Sequence, residues 1–171
     1  MQVTVSYRAR EDEVLRARRI ATIPGFKFTN RSEVDWGKTV AVVTRAGLVL
    51  KRERRDYRWH PGLLHARIAA GWSHPLVRAM ALEVGDRVLD CTLGLGTDAS
   101  FLAHLTQRQV VSLEIRPELA LLTSEGLRNA GHNVSVVHAD ARTFLSSLPD
   151  HSFEVVQGDP MFPPGTGVTH S

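Results

Sequence analysis

From Val84 onward the chain repeats one unit: a short apolar run, a turn, a helical stretch, then another apolar run. Arg87 to Asp90, Val110 to Glu114, Val134 to His138 and Phe153 to Gln157 have the length and β-branched content of buried strands. The segments between them, about Asp98 to Leu105, Pro117 to Gly131 and Thr143 to Leu148, read as helices. Parallel neighbours need such crossovers, whereas antiparallel ones can be joined by a tight turn. The pattern predicts an α/β fold, a doubly wound parallel sheet whose ligand sits at the carboxyl ends of its strands. The sequence stops soon after the fourth strand, so the sheet is expected to be C-terminally incomplete. Its edge would then be covered by a partner chain, as in a homodimer, or would leave the fragment unstable and prone to aggregate.

Residues 1–74 have a different texture. Gln2 to Arg8 alternates apolar and polar residues as a half-buried strand does, and the acidic run Glu11, Asp12, Glu13 opens a helix that Pro24-Gly25 closes. Thr39 to Val43 and Leu48 to Lys51 read as a hairpin, Arg52 to His60 as a basic loop, and Leu63 to Ala70 and Leu76 to Leu82 as helices. This is a small α+β appendage (1–74) on a ligand-binding domain (75–171). The two differ in charge: residues 1–74 carry 15 Lys+Arg against 7 Asp+Glu, a net +8, and residues 75–171 carry 6 against 11, a net −5. A basic portion beside an acidic one suggests that the first attracts a polyanion such as RNA. Arg52, Arg54, Arg55 and Arg58, interleaved with Tyr57 and Trp59, could hold phosphates and stack bases; a solvated arginine-rich surface is the other reading.

No apolar run approaches a membrane span, and charged residues from Arg8 onward exclude a secretory leader. Cys91, the single cysteine, permits no intrachain disulfide and suits the cytoplasm. His60, His65 and His74 are scattered, with no spacing that points to a metal.

The first strand runs into Asp90-Cys91-Thr92-Leu93-Gly94-Leu95-Gly96-Thr97-Asp98-Ala99. Gly94 and Gly96 permit close approach to the backbone, and Gly94 to Ala99 also satisfies a dinucleotide pattern, with Glu114 as the partner for ribose hydroxyls. An NAD-dependent oxidoreductase is therefore one reading, and a noncatalytic RNA-binding or cofactor-binding protein another. Asp90 and Asp98 place carboxylates where a pyrophosphate needs an undisturbed helix end. They suit S-adenosylmethionine, whose sulfonium and ammonium are cationic. Asp98 could equally serve the helix dipole, and Glu114 could be a solvated strand end. Asp140 could accept from an adenine amine beside the Ala141 N–H, or cap the next helix. The fourth strand delivers Asp159-Pro160-Met161-Phe162-Pro163-Pro164 to the same rim. There Asp159 and the Pro160 carbonyl can hold an exocyclic amine while Phe162 stacks on its base, unless the segment is only a proline-rich turn.

Asp90-x-Thr92-x-Gly94-x-Gly96-x-Asp98-Ala99, Glu114, His138-Ala139-Asp140 and Asp159-Pro160-Met161-Phe162-Pro163 resemble class I S-adenosylmethionine-dependent methyltransferases, whose fold is Rossmann-like. More narrowly, they resemble the family of the small-subunit ribosomal RNA guanine-N2 methyltransferase and its uncharacterised relatives. His65-Ala66-Arg67 adds a weaker match, and the similarity covers about residues 60–164. The resemblance implies that Thr97, Asp98, Glu114, Ile115, Asp140, Ala141 and Asp159 line the cofactor pocket. It adds Arg67 to the substrate contacts and implies methyl transfer to an exocyclic amine, most simply of guanine in RNA. Thr92 stands where the usual loop has its first glycine. Family members continue through three further strands beyond the fourth.

Overall fold

The computed structural model describes residues 1–53 and 55–160; Arg54 and residues 161–171, Phe162 among them, lie outside the described residues. Two sheets form. The first contains β1 (Gln2–Val5), β2 (Lys27–Phe28), β3 (Val40–Thr44), β4 (Gly47–Arg52) and β5 (Arg55–Arg58) in the order β2-β1-β3-β4-β5. β1 runs parallel to β2 and β3, and β3, β4 and β5 are antiparallel neighbours. Helix α1 (Glu11–Ile20) covers one face of this sheet, starting on its acidic turn and ending on Arg18 and Arg19 as the helix dipole favours.

Two local expectations are corrected. The β3–β4 turn is two residues, Arg45-Ala46, because Thr44 pairs with Gly47, Gly47 takes φ +126°, and the Thr44 hydroxyl donates to the Gly47 carbonyl. The basic stretch expected as a loop contains the edge strand β5, whose four residues are all exposed. An edge strand without a buried face has no apolar alternation to betray it, and Arg55, Asp56 and Arg58 are the charged residues that protect such edges from stray pairing.

Between the sheets the chain passes through α2 (Leu64–Ala70) and α3 (Pro75–Met80). The second sheet contains β6 (Val88–Asp90), β7 (Val110–Glu114), β8 (Val134–His138) and β9 (Val155–Gln157), all parallel, in the order β8-β7-β6-β9. The connecting helices are α4 (Thr97–Thr106), α5 (Pro117–Asn129) and α6 (Ala141–Ser146). The chain winds outward from β6 to β8 and returns to the other side of β6, so the topological switch, and with it the crevice of such folds, lies at the carboxyl end of β6. Phe101, Leu102, Val88 and Val110 form the core, joined by Leu64 and Val77 from α2 and α3. No helix among the described residues is long and apolar enough to cross a membrane.

Helix α5 serves both sheets. Leu127 packs in the core of the second, while Leu121 and Leu122 join Val3, Ile20, Val43 and Leu50 in the core of the first. Glu125, nearly buried on α5, is paired with Arg16 of α1 and with Arg128. Trp59 packs against both cores, and its indole lies on Gly126, where a β-carbon would run into the ring. We predict that Gly126→Ala, which ought to favour an isolated helix, instead destabilises the protein by about 1–3 kcal/mol through overpacking. A thermal melt checks this, and an unchanged or raised Tm contradicts it.

β9 is clamped to β6 by charge. Arg87 meets the Glu154 carboxylate with its main-chain N–H (2.7 Å) and its guanidinium, and also donates to the His151 carbonyl (2.9 Å). Hydrogen bonding from Arg87 holds the Glu154 carboxyl down at about 2, against an ordinary 4.5. The sign follows: the clamp stabilises the fold above about pH 4.5 and is lost as pH falls through the depressed value near 2. Amide exchange in β9 is predicted to accelerate across that window in the wild type more than in Arg87→Ala. Identical acid dependence in the two proteins would contradict the clamp.

Candidate functional site

At the switch point β6 ends in Asp90 and the chain turns through residues 91–96 into α4. Gly94 and Gly96 both adopt positive φ, +52° and +72°, the region glycine enters without strain. Their neighbours differ. A β-carbon on Gly96 would lie 2.9 Å from Leu127 and 3.2 Å from Thr123, so this glycine lets α5 close onto the loop. Gly94 lines open space, with its carbonyl held by the Thr123 hydroxyl at 2.7 Å and its N–H directed at Glu114.

That space is a cleft of about 740 Å³ across the carboxyl ends of the strands. Glu114 enters it from β7, its carboxylate accepting the N–H groups of Gly94 (3.3 Å) and Arg116 (3.0 Å). Asp140 enters from the end of β8. It does cap α6, accepting the Arg142 N–H at 2.9 Å, yet it also lines the cleft. Hydrogen bonds from the Arg142 side chain and main chain hold its carboxyl down at about 2. Asp159 and Pro160 follow β9, and Ile115, Leu119, Ala139 and Ala141 supply apolar walls. Cleft residues that the sequence did not single out as pocket-lining are Cys91, Thr92, Leu113, Arg116, Leu119, Ala139 and Arg142. Only the Asp-x-Arg spacing of Asp140 and Arg142 and the Asp-x-Thr spacing of Asp90 and Thr92 could have signalled any of them, through side-chain turns of two residues.

Behind the cleft, Asp90 is 1% exposed. Ser112 donates to one carboxylate oxygen at 2.5 Å; the Thr92 N–H (2.9 Å) and hydroxyl (3.4 Å) face the other. Burial pushes its carboxyl upward, opposed by the hydrogen bonds from Ser112 and Thr92. A carboxylate can only accept, so the Thr92 hydroxyl turns its proton toward Asp90 and its lone pairs outward. Those lone pairs receive the Asp159 N–H at 2.8 Å. A hydrogen-bonded relay thus runs from the buried Ser112–Asp90 pair through Thr92 to the exposed Asp159 and sets the first residue of the last cleft segment.

The other expected site residues lie apart from this cleft. Asp98 is paired with Arg67, joining α4 to α2, so each neutralises the other. The Thr97 hydroxyl donates to the Pro61 carbonyl at 3.3 Å. Arg52, Arg55 and Arg58 stand on β4 and β5, with Arg58 3.9 Å from Asp56. Arg54 and Phe162 lie outside the described residues.

A family model described as "Putative SAM-dependent methyltransferase" matches residues 58–168. The chain belongs to this methyltransferase family. YpiP, an uncharacterised protein of Bacillus subtilis (strain 168), is 29% identical over 94% of this chain and 71% of its own length. Ribosomal RNA small subunit methyltransferase J of Coxiella burnetii (strain RSA 331 / Henzerling II) is 36% identical over 58% of this chain. The chain matches 42% of that relative's length. The crystal structure of the SAM-dependent methyltransferase NGO1261 from Neisseria gonorrhoeae superposes with a TM-score of 0.66 at 18% identity. It covers 95% of this chain and 70% of the Neisseria chain, which shows the Rossmann-like fold.

The family's cofactor, S-adenosyl-L-methionine, is the cofactor of this chain, and the cleft's chemistry fits it. The loop presents Glu114 to the cleft and keeps Asp90 just behind it, so the glycine-loop end of the cleft, away from Arg142, suits a cationic ligand. The apolar walls suit an adenine ring.

Thr92→Val keeps the shape of the relay and removes its hydroxyl. Losing one hydrogen bond should speed exchange of the Asp159 amide by up to roughly tenfold, with Thr92→Ser restoring protection. Equal exchange in all three proteins would contradict the relay.

Proposed function

We propose that the protein transfers a methyl group from S-adenosylmethionine to an exocyclic amine of guanine in ribosomal RNA. The observation that carries this reading is the convergence of Glu114, Asp140 and Asp159 from three successive strand ends on one cleft beside a glycine loop. The name of the Coxiella relative supports the ribosomal substrate. In this reading Glu114 takes the ribose hydroxyls, Asp140 and the Ala141 N–H take the adenine edge, and Gly94 and Ile115 bracket the nucleoside. Asp90, Gly96, Thr97 and Asp98 shape the loop from behind. The two parts of the chain divide the work, residues 1–74 holding RNA through Arg52, Arg54, Arg55 and Arg58, and residues 75–171 holding the cofactor. We place this activity in the cytoplasm, where ribosomal RNA is accessible. Val156, 53% exposed on β9, which is an edge strand among the described residues, supports a second copy of the chain as its cover.

The bound cofactor supplies a methyl already activated on a sulfonium, so the protein's task is alignment. An exocyclic base amine delocalises its lone pair into the ring and is a poor nucleophile while planar. In this reading Asp159 and the Pro160 carbonyl accept its two N–H bonds and draw the nitrogen toward tetrahedral geometry, and the Asp159 carboxylate takes the proton the amine must lose. Phe162 holds the base plane by stacking. Thr92 fixes the main chain of Asp159, so the acceptor's position is inherited from the buried Asp90.

Methylation of ribosomal RNA followed by mass spectrometry of the nucleosides tests the chemistry. The expected product is an N-methylated guanosine, with Asp159→Ala reducing kcat by on the order of 100-fold and RNA affinity changing much less. A methyl on ribose oxygen or ring carbon, or normal turnover without Asp159, would overturn the assignment. Glu114→Ala should weaken calorimetric binding of S-adenosylhomocysteine and leave the fold intact.

A further inference from the structure

Beside the cofactor cleft lies a second concavity of about 280 Å³, between the first sheet and α5. Arg52, Arg58, Arg116, Tyr57, His60 and one acidic residue, Glu118, line it, over a floor that includes Leu50 and Leu122. It shares Arg116 and Leu119 with the cofactor cleft, so the two are neighbours across a single turn of α5. Tyr57 is 46% exposed although its strand partner Leu50 is buried, which leaves ring surface open to a flat ligand. The Arg58 and Arg116 side chains are 57% and 62% exposed, each only 3.9 Å or more from an acidic neighbour, a separation that leaves their N–H donors available.

The groove is also held in register with the cleft. The Trp59 indole donates to the carbonyl of Leu95 in the glycine loop at 3.0 Å, and Thr97 bonds to Pro61. The residues flanking His60 are thereby tied to the loop that shapes the cofactor site. Three arginines against the one carboxylate of Glu118, around an exposed aromatic ring on an apolar floor, leave a net positive groove that matches a phosphodiester strand with an unpaired base. It does not match a duplex, whose bases are closed to stacking.

We infer that this groove seats the single-stranded nucleic acid segment adjoining the target base, with Tyr57 stacking one base and Arg52, Arg58 and Arg116 gripping phosphates. The inference rests on the methyltransferase reading for its direction, since it makes the groove the approach to the acceptor end of the cleft. Two properties follow. Losing Tyr57 removes a stack without removing a charge, and losing an arginine removes one released counterion.

Fluorescence anisotropy with a short labelled oligouridylate, and its deoxy counterpart, separates them. Tyr57→Ala should weaken binding by roughly 5- to 100-fold with an unchanged salt slope. Arg58→Ala and Arg116→Ala should each lower the slope of log K against log salt by about 0.7. Arg45→Ala, at the exposed β3–β4 turn outside the groove, should change binding less than about twofold, and circular dichroism confirms that each variant is folded. No binding by the wild type, a Tyr57→Ala strand affinity equal to wild type, or an Arg45→Ala loss equal to that of Arg58→Ala would overturn the groove. Preference for the ribose strand supports RNA as the occupant, and preference for the deoxy strand overturns it. S-adenosylhomocysteine titrated calorimetrically reports separately on the methyltransferase reading: strand binding without it would retain the groove and remove the cofactor assignment.

Discussion

Asp90 is a carboxylate out of reach of water, and such a group persists only where donors surround it. Those donors come from three places: Ser112 on the neighbouring strand, the Thr92 main chain one turn along the loop, and the Thr92 side chain. Satisfying Asp90 therefore dictates the register of β6 against β7, the path of the glycine loop and the polarity of the Thr92 hydroxyl. The last of these reaches Asp159, which otherwise sits on an exposed segment with little to hold it. The cleft owes its shape less to the residues that face it than to a buried charge behind it.

The second constraint is α5. A helix with apolar side chains directed at both sheets cannot rotate to favour one without exposing the other, and Gly126 allows Trp59 to fill the seam. With the indole N–H bonded to Leu95, the basic sheet is fastened to the cofactor loop. The +8 portion and the −5 portion are thus packed against each other along α5.

The four parallel strands were legible because short β-branched runs such as Val110-Val111 and Val134 to Val137 alternate with helical stretches, although only β6 is buried along its whole length. Glu114, Asp140 and Asp159 were legible as strand-end residues once the alternation was seen, since such sheets gather strand ends on one rim. β5 was not, because it buries nothing, and neither was the two-residue β2, whose pairing with β1 comes from tertiary context. Asp98 and Arg67 illustrate a deeper limit: each residue type suited a ligand, but their mutual pairing depends on how α2 docks on α4, which local sequence does not encode. Thr92 stood in the motif in plain view, and its role emerges only when Asp90 is found buried and Asp159 is brought back beside it by β9.

The central claim, that this rim holds S-adenosylmethionine, is tested most directly by a crystal structure of the protein with S-adenosylhomocysteine. The account predicts the nucleoside in the cleft, its ribose hydroxyls on the Glu114 carboxylate, its adenine between Ile115 and Ala141 with Asp140 on the amine, and its sulfur facing Asp159. A ligand lodged instead in the groove beside Tyr57, or a cleft that takes NAD and refuses S-adenosylhomocysteine, would contradict it.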